Sequence, residues 1–323
     1  MPKLSIVITC LDDPDLPNTL QSIHDTTGHS VQIIIVNDGR EMLSILQPET
    51  LSAPQKEAFK LVNVINNTHR CGVGPSRTVG VHHATGDYVM LIDSHMRFKP
   101  GWYEEVMRRV QGREKTIHCA VCAGLDSQNM DVNNPKGRYY GAKLEIFGPD
   151  QNRAGAFRVF EGTWNKTPPE DDAELSCLMG AAYVLPRKWF LHLDPLRFLR
   201  SWGGDEQMLS IKSWLSGGDV RLMRNVEIGH VFLRGDEKPP YKTPVGHIAH
   251  NKFFALYTLL NDNERARTRV LEHMMTVYGG GEFSTGMKII AENYHLLETE
   301  IARNRDIFKH TFEWYADRFG ISL

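Results

Sequence analysis

Apolar and polar positions fall into blocks along the first half of the chain. Leu4-Ser-Ile-Val-Ile-Thr9 is a short, nearly unbroken apolar run. Val31-Gln-Ile-Ile-Ile-Val36 and Tyr88-Val-Met-Leu-Ile-Asp93 repeat the pattern. Such runs, rich in β-branched residues, predict strands buried on both faces. Residues 59–65 predict one more strand, closed by the turn-forming pair Asn66-Asn67. Between these runs Leu16, Leu20 and Ile23 recur at helical spacing, which predicts a helix over 16–23, and residues 74–84 predict another. Strands alternating with helices imply a parallel sheet covered on both sides.

Beyond residue 100 the pattern loosens. Residues 118–124 read as a strand. Residues 129–174 are rich in Gly, Pro, Asn and acids, and predict loops with strands around 139–147 and 157–160. The apolar run 178–184, a helix over 207–215 and the stretch 220–231 complete the α/β part. From about Asn251 the periodicity turns helical: 252–260, 263–277, 288–301 and 305–319, punctuated by Gly279-Gly280-Gly281. The expected division is an α/β domain over 1–250 and a helical extension over 251–323.

Composition narrows the function classes. The 323 residues carry 37 Lys+Arg against 39 Asp+Glu, a net charge of -2. No global basic field draws nucleic acid to the whole surface. No apolar run reaches the ~20 residues of a membrane span, and the start lacks the order of a signal peptide. The five cysteines are few and odd in number, as in a reduced, cytoplasmic protein. Cys119 and Cys122 form a C-x-x-C without a second pair, so they read as core thiols rather than zinc ligands. Neither G-x-G-x-x-G nor the P-loop motif is present.

Four segments carry candidate chemistry. Asp93-Ser94-His95 closes a predicted strand. Residues two apart on an extended chain share a face, so a carboxylate and an imidazole project together where open α/β sheets bind ligands. With a third ligand the pair suits a divalent cation; a carboxylate capping the next turn is the other reading. Asn37-Asp38-Gly39 also follows a strand and reads as a ribose contact or as a turn. Ser201-Trp-Gly-Gly-Asp-Glu206 places two acids after two glycines. They can meet a ligand or simply complement the start of the following helix. Gly229-His230-Val-Phe232 supplies a lone histidine after a strand.

Taken in order, these segments resemble the GT-A nucleotide-sugar glycosyltransferases of the family-2 kind, and most closely the polypeptide N-acetylgalactosaminyltransferases. Gly74-Pro-Ser-Arg77, Leu178-Met-Gly-Ala-Ala-Tyr183 and Pro240-Tyr241 extend the resemblance to some 230–250 residues. It implies a GT-A fold with a mostly parallel central sheet, a catalytic domain over 1–250 and a C-terminal helical extension. It implies Asp93, His95 and His230 as ligands of Mn²⁺ (or Mg²⁺), and a UDP-sugar as donor. Thr9 and Asp38 then line the base and ribose pocket, and Arg77 and Asp93 lie near the nucleotide. Gly180 and Ala181 stand beside the sugar, Trp202 closes over the donor, and Asp205 and Glu206 take the sugar-contacting and catalytic positions.

The sequence also departs from the family. Leu11 stands where an aromatic residue often stacks on uracil, and Asn37 replaces the first of two usual aspartates. Glu206 replaces an Asn of the N-acetylgalactosaminyltransferases. A carboxylate there can act as general base toward an acceptor hydroxyl, which favours inversion. The family's membrane anchor and lectin module are not in the sequence, which again implies a cytoplasmic enzyme. The expected acceptor is a macromolecule: a protein Ser/Thr, hydroxymethylated DNA served by Arg187, Lys188, Arg197, Arg200, Arg265, Arg267 and Arg269, or a glycan. A carbohydrate-binding relative with a dead site is the non-enzyme alternative. A nucleotidyltransferase is disfavoured by the acidic loop Cys10-Leu-Asp-Asp-Pro-Asp15, which would repel a triphosphate.

Overall fold

The computed structural model describes residues 3–27, 31–39, 49, 51–60, 62–150, 155–234, 237 and 242–323. Pro240-Tyr241 lies outside them. The first half builds β1 (Leu4–Cys10), α1 (Leu16–Thr27), β2 (Gln32–Asn37), α2 (Ala53–Phe59), β3 (Val62–Asn66), α3 (Val73–His83) and β4 (Tyr88–Ile92). β5 (Met96–Phe98), α4 (Trp102–Val110), β6 (Thr116–Leu125), β7 (Gly137–Tyr139), β8 (Ala142–Pro149) and β9 (Phe157–Trp164) follow. Then come β10 (Ala182–Pro186), α5 (Arg187–Leu193), α6 (Asp205–Leu215) and β11 (Asp219–Val231). Five helices close the chain: α7 (His247–Leu259), α8 (Glu264–Val277), α9 (Gly280–Glu292), α10 (Tyr294–Ile307) and α11 (Phe312–Phe319).

The central sheet has the order β3-β2-β1-β4-β10-β6-β11-β5, with β7 added to β6 and β8-β9 forming a separate hairpin. β3, β2, β1 and β4 are mutually parallel. Beyond β4 the sheet is mixed, because β10 runs antiparallel to both β4 and β6. β11 is parallel to β6 and antiparallel to β5. The near-continuous apolar runs are explained by depth: every residue of β6 and β10 is buried, as is nearly all of β1 and β2.

This order decides where chemistry can gather. The chain winds outward from β1 to β3 and then returns to the other side of β1 as β4, a switch point that opens a crevice at the carboxyl edge. Two successive reversals, at β10 and β6, make β11 run in the same direction as β4. Its end, with His230, therefore reaches the same edge as Asp93. β10, antiparallel to both its neighbours, begins at that edge, so Gly180 and Ala181 join from the opposite chain direction.

Some sequence expectations shift. Residues 59–65 are not one strand, since α2 takes Phe59 and the strand starts at Val62. Only the second half of 178–184 is strand; Leu178 to Ala181 lead into the site. The region 288–301 divides at Asn293 into α9 and α10, and 305–319 divides before Thr311, whose side chain accepts from Trp314 N and starts α11. Gly280 and Gly281 open α9 rather than breaking the chain. The C-terminal helices pack on the sheet layer: Lys212 on α6 pairs with Glu300 on α10, both fully buried. Tyr315 donates to Ser176 O at 2.6 Å.

Candidate active site

Asp93 and His95 leave β4 on one face, and His230 arrives from β11. Ligating atoms of the three lie within 4.8 Å of one another. His95 Nε2 is 3.2 Å from His230 Nε2, which is 3.3 Å from Asp93 Oδ2. Burial pushes the Asp93 carboxyl up, but His230 and Arg77 outweigh it and leave Asp93 below its ordinary value. Burial pulls His230 down against the attraction of Asp93. Burial also lowers His95, yet Asp13 and Asp93 more than compensate and hold it above its ordinary value. The two rings are kept differently. His95 Nδ1 lies 2.6 Å from Asp13 Oδ2, whereas His230 Nδ1 is buried without a partner among the described residues and its ring packs on Phe232.

This set can hold a divalent cation. Two ligands about 2.1 Å from an ion and at right angles are about 3.0 Å apart, close to the 3.2 Å between the imidazole nitrogens. Two imidazoles and a carboxylate are also a mixed nitrogen and oxygen donor set that suits a divalent first-row metal ion.

Beneath these ligands lies Arg77 of α3, 1% exposed. Its guanidinium donates to Asp93 Oδ1 at 2.9 Å, to Tyr183 Oη at 3.2 Å and to Asp205, the first residue of α6. So buried a cation is expensive unless paired, and two carboxylates supply the pairing. Arg77 is therefore an internal strut joining the Asp93 and Asp205 carboxylates. Glu206 stands next to Asp205 and faces Gly180. Burial and the neighbouring Asp205 raise the Glu206 carboxyl well above its ordinary value, with Arg77 opposing. A Cβ on Gly180 would sit 2.0 Å from Glu206 Oε1. Ala181 is buried beside it.

Asp38 also turns inward. Its oxygens accept from Cys71 N at 2.7 Å, Gly72 N at 2.8 Å, Asn67 Nδ2 at 2.9 Å and Ser76 Oγ at 3.1 Å. It braces the segment that leads into α3, while Asn37 Oδ1 accepts from Gly39 N at 3.1 Å within the turn itself. Thr9 is half-buried one residue before the end of β1, at the same edge. Trp202 is 53% exposed, but its backbone is held. Asn251 of α7 donates to Gly203 O at 2.7 Å and Arg200 O at 2.8 Å, and accepts from Arg200 N at 2.8 Å. Ser201 Oγ meets His247 Nδ1 at 2.8 Å. Gly72, at φ 100°, approaches so closely that a Cβ would lie 2.3 Å from Ser201 N.

Asp93, His95 and His230, all singled out in the sequence, lie together, and Gly180, Asp205 and Glu206 adjoin them through Arg77, with Ala181 beside Gly180. Sequence reasoning missed Asp13 and Asn251. Asp13 sits in the loop read only as acidic and repellent, and Asn251 at the boundary assigned to the extension.

A mixed α/β sheet with a ligand-bearing carboxyl edge at this switch point defines the GT-A class of fold. Solved structures share it. GalNAc-T7 with UDP, GalNAc and Mn²⁺ aligns with a TM-score of 0.67 at 15% identity, covering 99% of this chain and 57% of that one. S. aureus TarS 1–349 in complex with UDP-GlcNAc aligns with a TM-score of 0.57 at 11% identity, covering 99% and 92%. Residues 5–165 match Glycosyl transferase family 2, so the chain carries a glycosyltransferase family 2 domain. Among curated relatives, polypeptide N-acetylgalactosaminyltransferase 11 of Xenopus tropicalis is 23% identical over 333 residues, 98% of this chain and 50% of that protein. Polypeptide N-acetylgalactosaminyltransferase 10 of Mus musculus is 26% identical over 264 residues, 76% and 40%. The chain thus spans half or less of these relatives' length. The family match contains Asp93 and His95 but ends before Gly180, Glu206 and His230, whose grouping rests on geometry.

Proposed function

We propose that this chain transfers an N-acetylhexosamine from a UDP-sugar to a Ser or Thr hydroxyl of a protein, with Mn²⁺ held by Asp93, His95 and His230. The observation that carries the reading is the convergence of those three side chains at the carboxyl edge of a family-2 sheet. A divalent cation bound there offsets the diphosphate charge and stabilises the nucleotide as a leaving group.

The chain's own residues supply the rest. Gly180, whose missing side chain makes room for the Glu206 carboxylate, and Ala181 stand where the resemblance places the sugar. Arg77 fixes Asp93 and Asp205 in one frame, so the ligand side and the acid side of the crevice keep their spacing. Glu206 is our candidate general base for the acceptor hydroxyl, and attack assisted directly by such a base inverts the anomeric centre. Trp202 flanks the donor from its anchored loop. UDP and an N-acetylated hexosamine are the components named with GalNAc-T7 and TarS, and polypeptide acceptors are those named for the relatives. A DNA acceptor draws less support. Arg187 donates to Val81 O and His82 O at the end of α3, and Arg197 lies 3.6 Å from Asp194. All five cysteines are free thiols, four of them buried, which fits work in a reducing, cytoplasmic setting.

Mass spectrometry of Ser/Thr peptides, hydroxymethylated DNA and oligosaccharides, incubated with UDP-GalNAc or UDP-GlcNAc and Mn²⁺, tests this directly. Transfer to peptide is expected, and His95→Ala is expected to abolish it with the thermal unfolding midpoint kept. Normal transfer by His95→Ala and Asp93→Ala, or transfer only to DNA or glycan, would overturn the corresponding part.

A further inference from the structure

The acidic loop after β1 has no part in the function so far, yet it grips the metal-ligand strand. Asp13 Oδ2 lies 2.6 Å from His95 Nδ1 and accepts from Ser94 Oγ at 2.5 Å. Asp13 Oδ1 accepts from Asp15 N at 2.9 Å, which closes the loop on itself. Asp15 takes a two-pronged hydrogen bond from Arg97, at 2.6 and 2.8 Å. Thr19 Oγ1 donates to Ser94 O at 2.7 Å and accepts from Met96 N at 2.8 Å.

We infer that Asp13 is the positioning residue that presents His95 to a divalent cation. An ionised carboxylate can only accept hydrogen bonds, so its contact with Nδ1 keeps the proton on that nitrogen. In the neutral ring the lone pair then sits on Nε2, the atom facing His230 Nε2 and the Asp93 carboxylate. Carboxylate–histidine pairs of this kind set both the tautomer and the ring angle of a metal ligand. His230 has no such bracket among the described residues, since its Nδ1 is unpartnered there. The acidity of the loop is thereby explained by the ligand strand it holds. Asp15 and Thr19 fasten the same strand without touching His95, so loop anchoring and ligand orientation can be separated by mutation.

The inference rests on the proposed metal site, and the test distinguishes the two. Mn²⁺ binding to the 323-residue chain is measured by the free-ion EPR signal, alongside the thermal unfolding midpoint. The wild type is expected to bind, and His95→Ala to lose the site. Asp13→Asn and Asp13→Ala are expected to weaken Mn²⁺ binding roughly 10–100-fold, while Asp15→Asn stays within about threefold of wild type. Asp13→Asn keeps the side-chain shape and serves if Asp13→Ala does not fold. Wild-type affinity in folded Asp13→Asn would overturn the inference and leave the metal site standing. An equal loss in Asp15→Asn would also overturn it, by assigning the effect to the loop as a whole. A wild type that binds no Mn²⁺, or a His95→Ala that binds normally, would overturn the metal site and the inference together.

Discussion

Gly180 and Glu206 constrain each other at the scale of single residues. The 2.0 Å clash that a methyl group would make with Glu206 Oε1 is with the tip of a side chain, so Glu206 would be displaced rather than the backbone. Gly180→Ala is therefore expected to cost about 1–3 kcal/mol of stability, as overpacking does, and to lower kcat with it; urea unfolding and steady-state assays check both. Wild-type kcat would show that Glu206 need not stand where it does. The proton on Glu206 is the second lever. Its carboxyl is raised above its ordinary 4.5 by burial and by Asp205, so the folded state binds the proton more tightly than the unfolded chain. That contribution is fully present below the ordinary value and is lost as pH rises through the folded one. Relative to wild type, Glu206→Gln should gain stability as pH rises above the ordinary value, and parallel stability curves would contradict the assignment. If Glu206 is the base, kcat should climb over the same window and the Gln variant should lose that climb.

The loop 200–204 is the element on which Trp202 and the acids depend. It is fixed from outside by Asn251, His247 and Gly72. Asn251→Ala would remove three hydrogen bonds from the half-buried backbone of Arg200 and Gly203, at about 1–3 kcal/mol. The expected result is faster hydrogen exchange across 200–204 and a raised KM for the UDP-sugar. Unchanged exchange would remove α7 from the account. The same element shows what the sequence could and could not disclose. Asp93 and His95 were legible because a two-residue spacing at a strand end fixes a shared face. Asp13 reaches His95 across 82 positions and Asn251 reaches Arg200 across 51, contacts that no local spacing encodes. The direction of β10 was equally silent. A strand buried on both faces reads as one apolar run whichever way it points, so the mixed half of the sheet looked parallel. Asp38 and Arg77 carried the right residue types, but only tertiary structure shows that they face inward.

On the scale of the whole molecule, the helices after residue 246 share the core of the sheet. Lys212 of α6 and Glu300 of α10 form a buried pair, Lys252 of α7 donates to Phe160 O at 2.7 Å, and Tyr315 of α11 holds Ser176. Removing one member of a buried ion pair strands the other. Glu300→Ala is therefore expected to destabilise the entire chain by about 3–5 kcal/mol in a single cooperative transition. A separate, early transition confined to the C-terminal helices would instead make them an independent unit. Asn304 of α10 also donates to Thr258 O of α7, the helix whose Asn251 holds the Trp202 loop.

The central claim is that Asp93, His95 and His230 form a metal centre serving nucleotide-sugar chemistry. Its most direct test is UDP release from UDP-GalNAc and UDP-GlcNAc by the wild type and by His230→Ala, with Mn²⁺ and after chelation. The account requires release by the wild type that stops on chelation, returns with Mn²⁺ and is absent in His230→Ala. Release that persists in the chelated enzyme and in His230→Ala would contradict it.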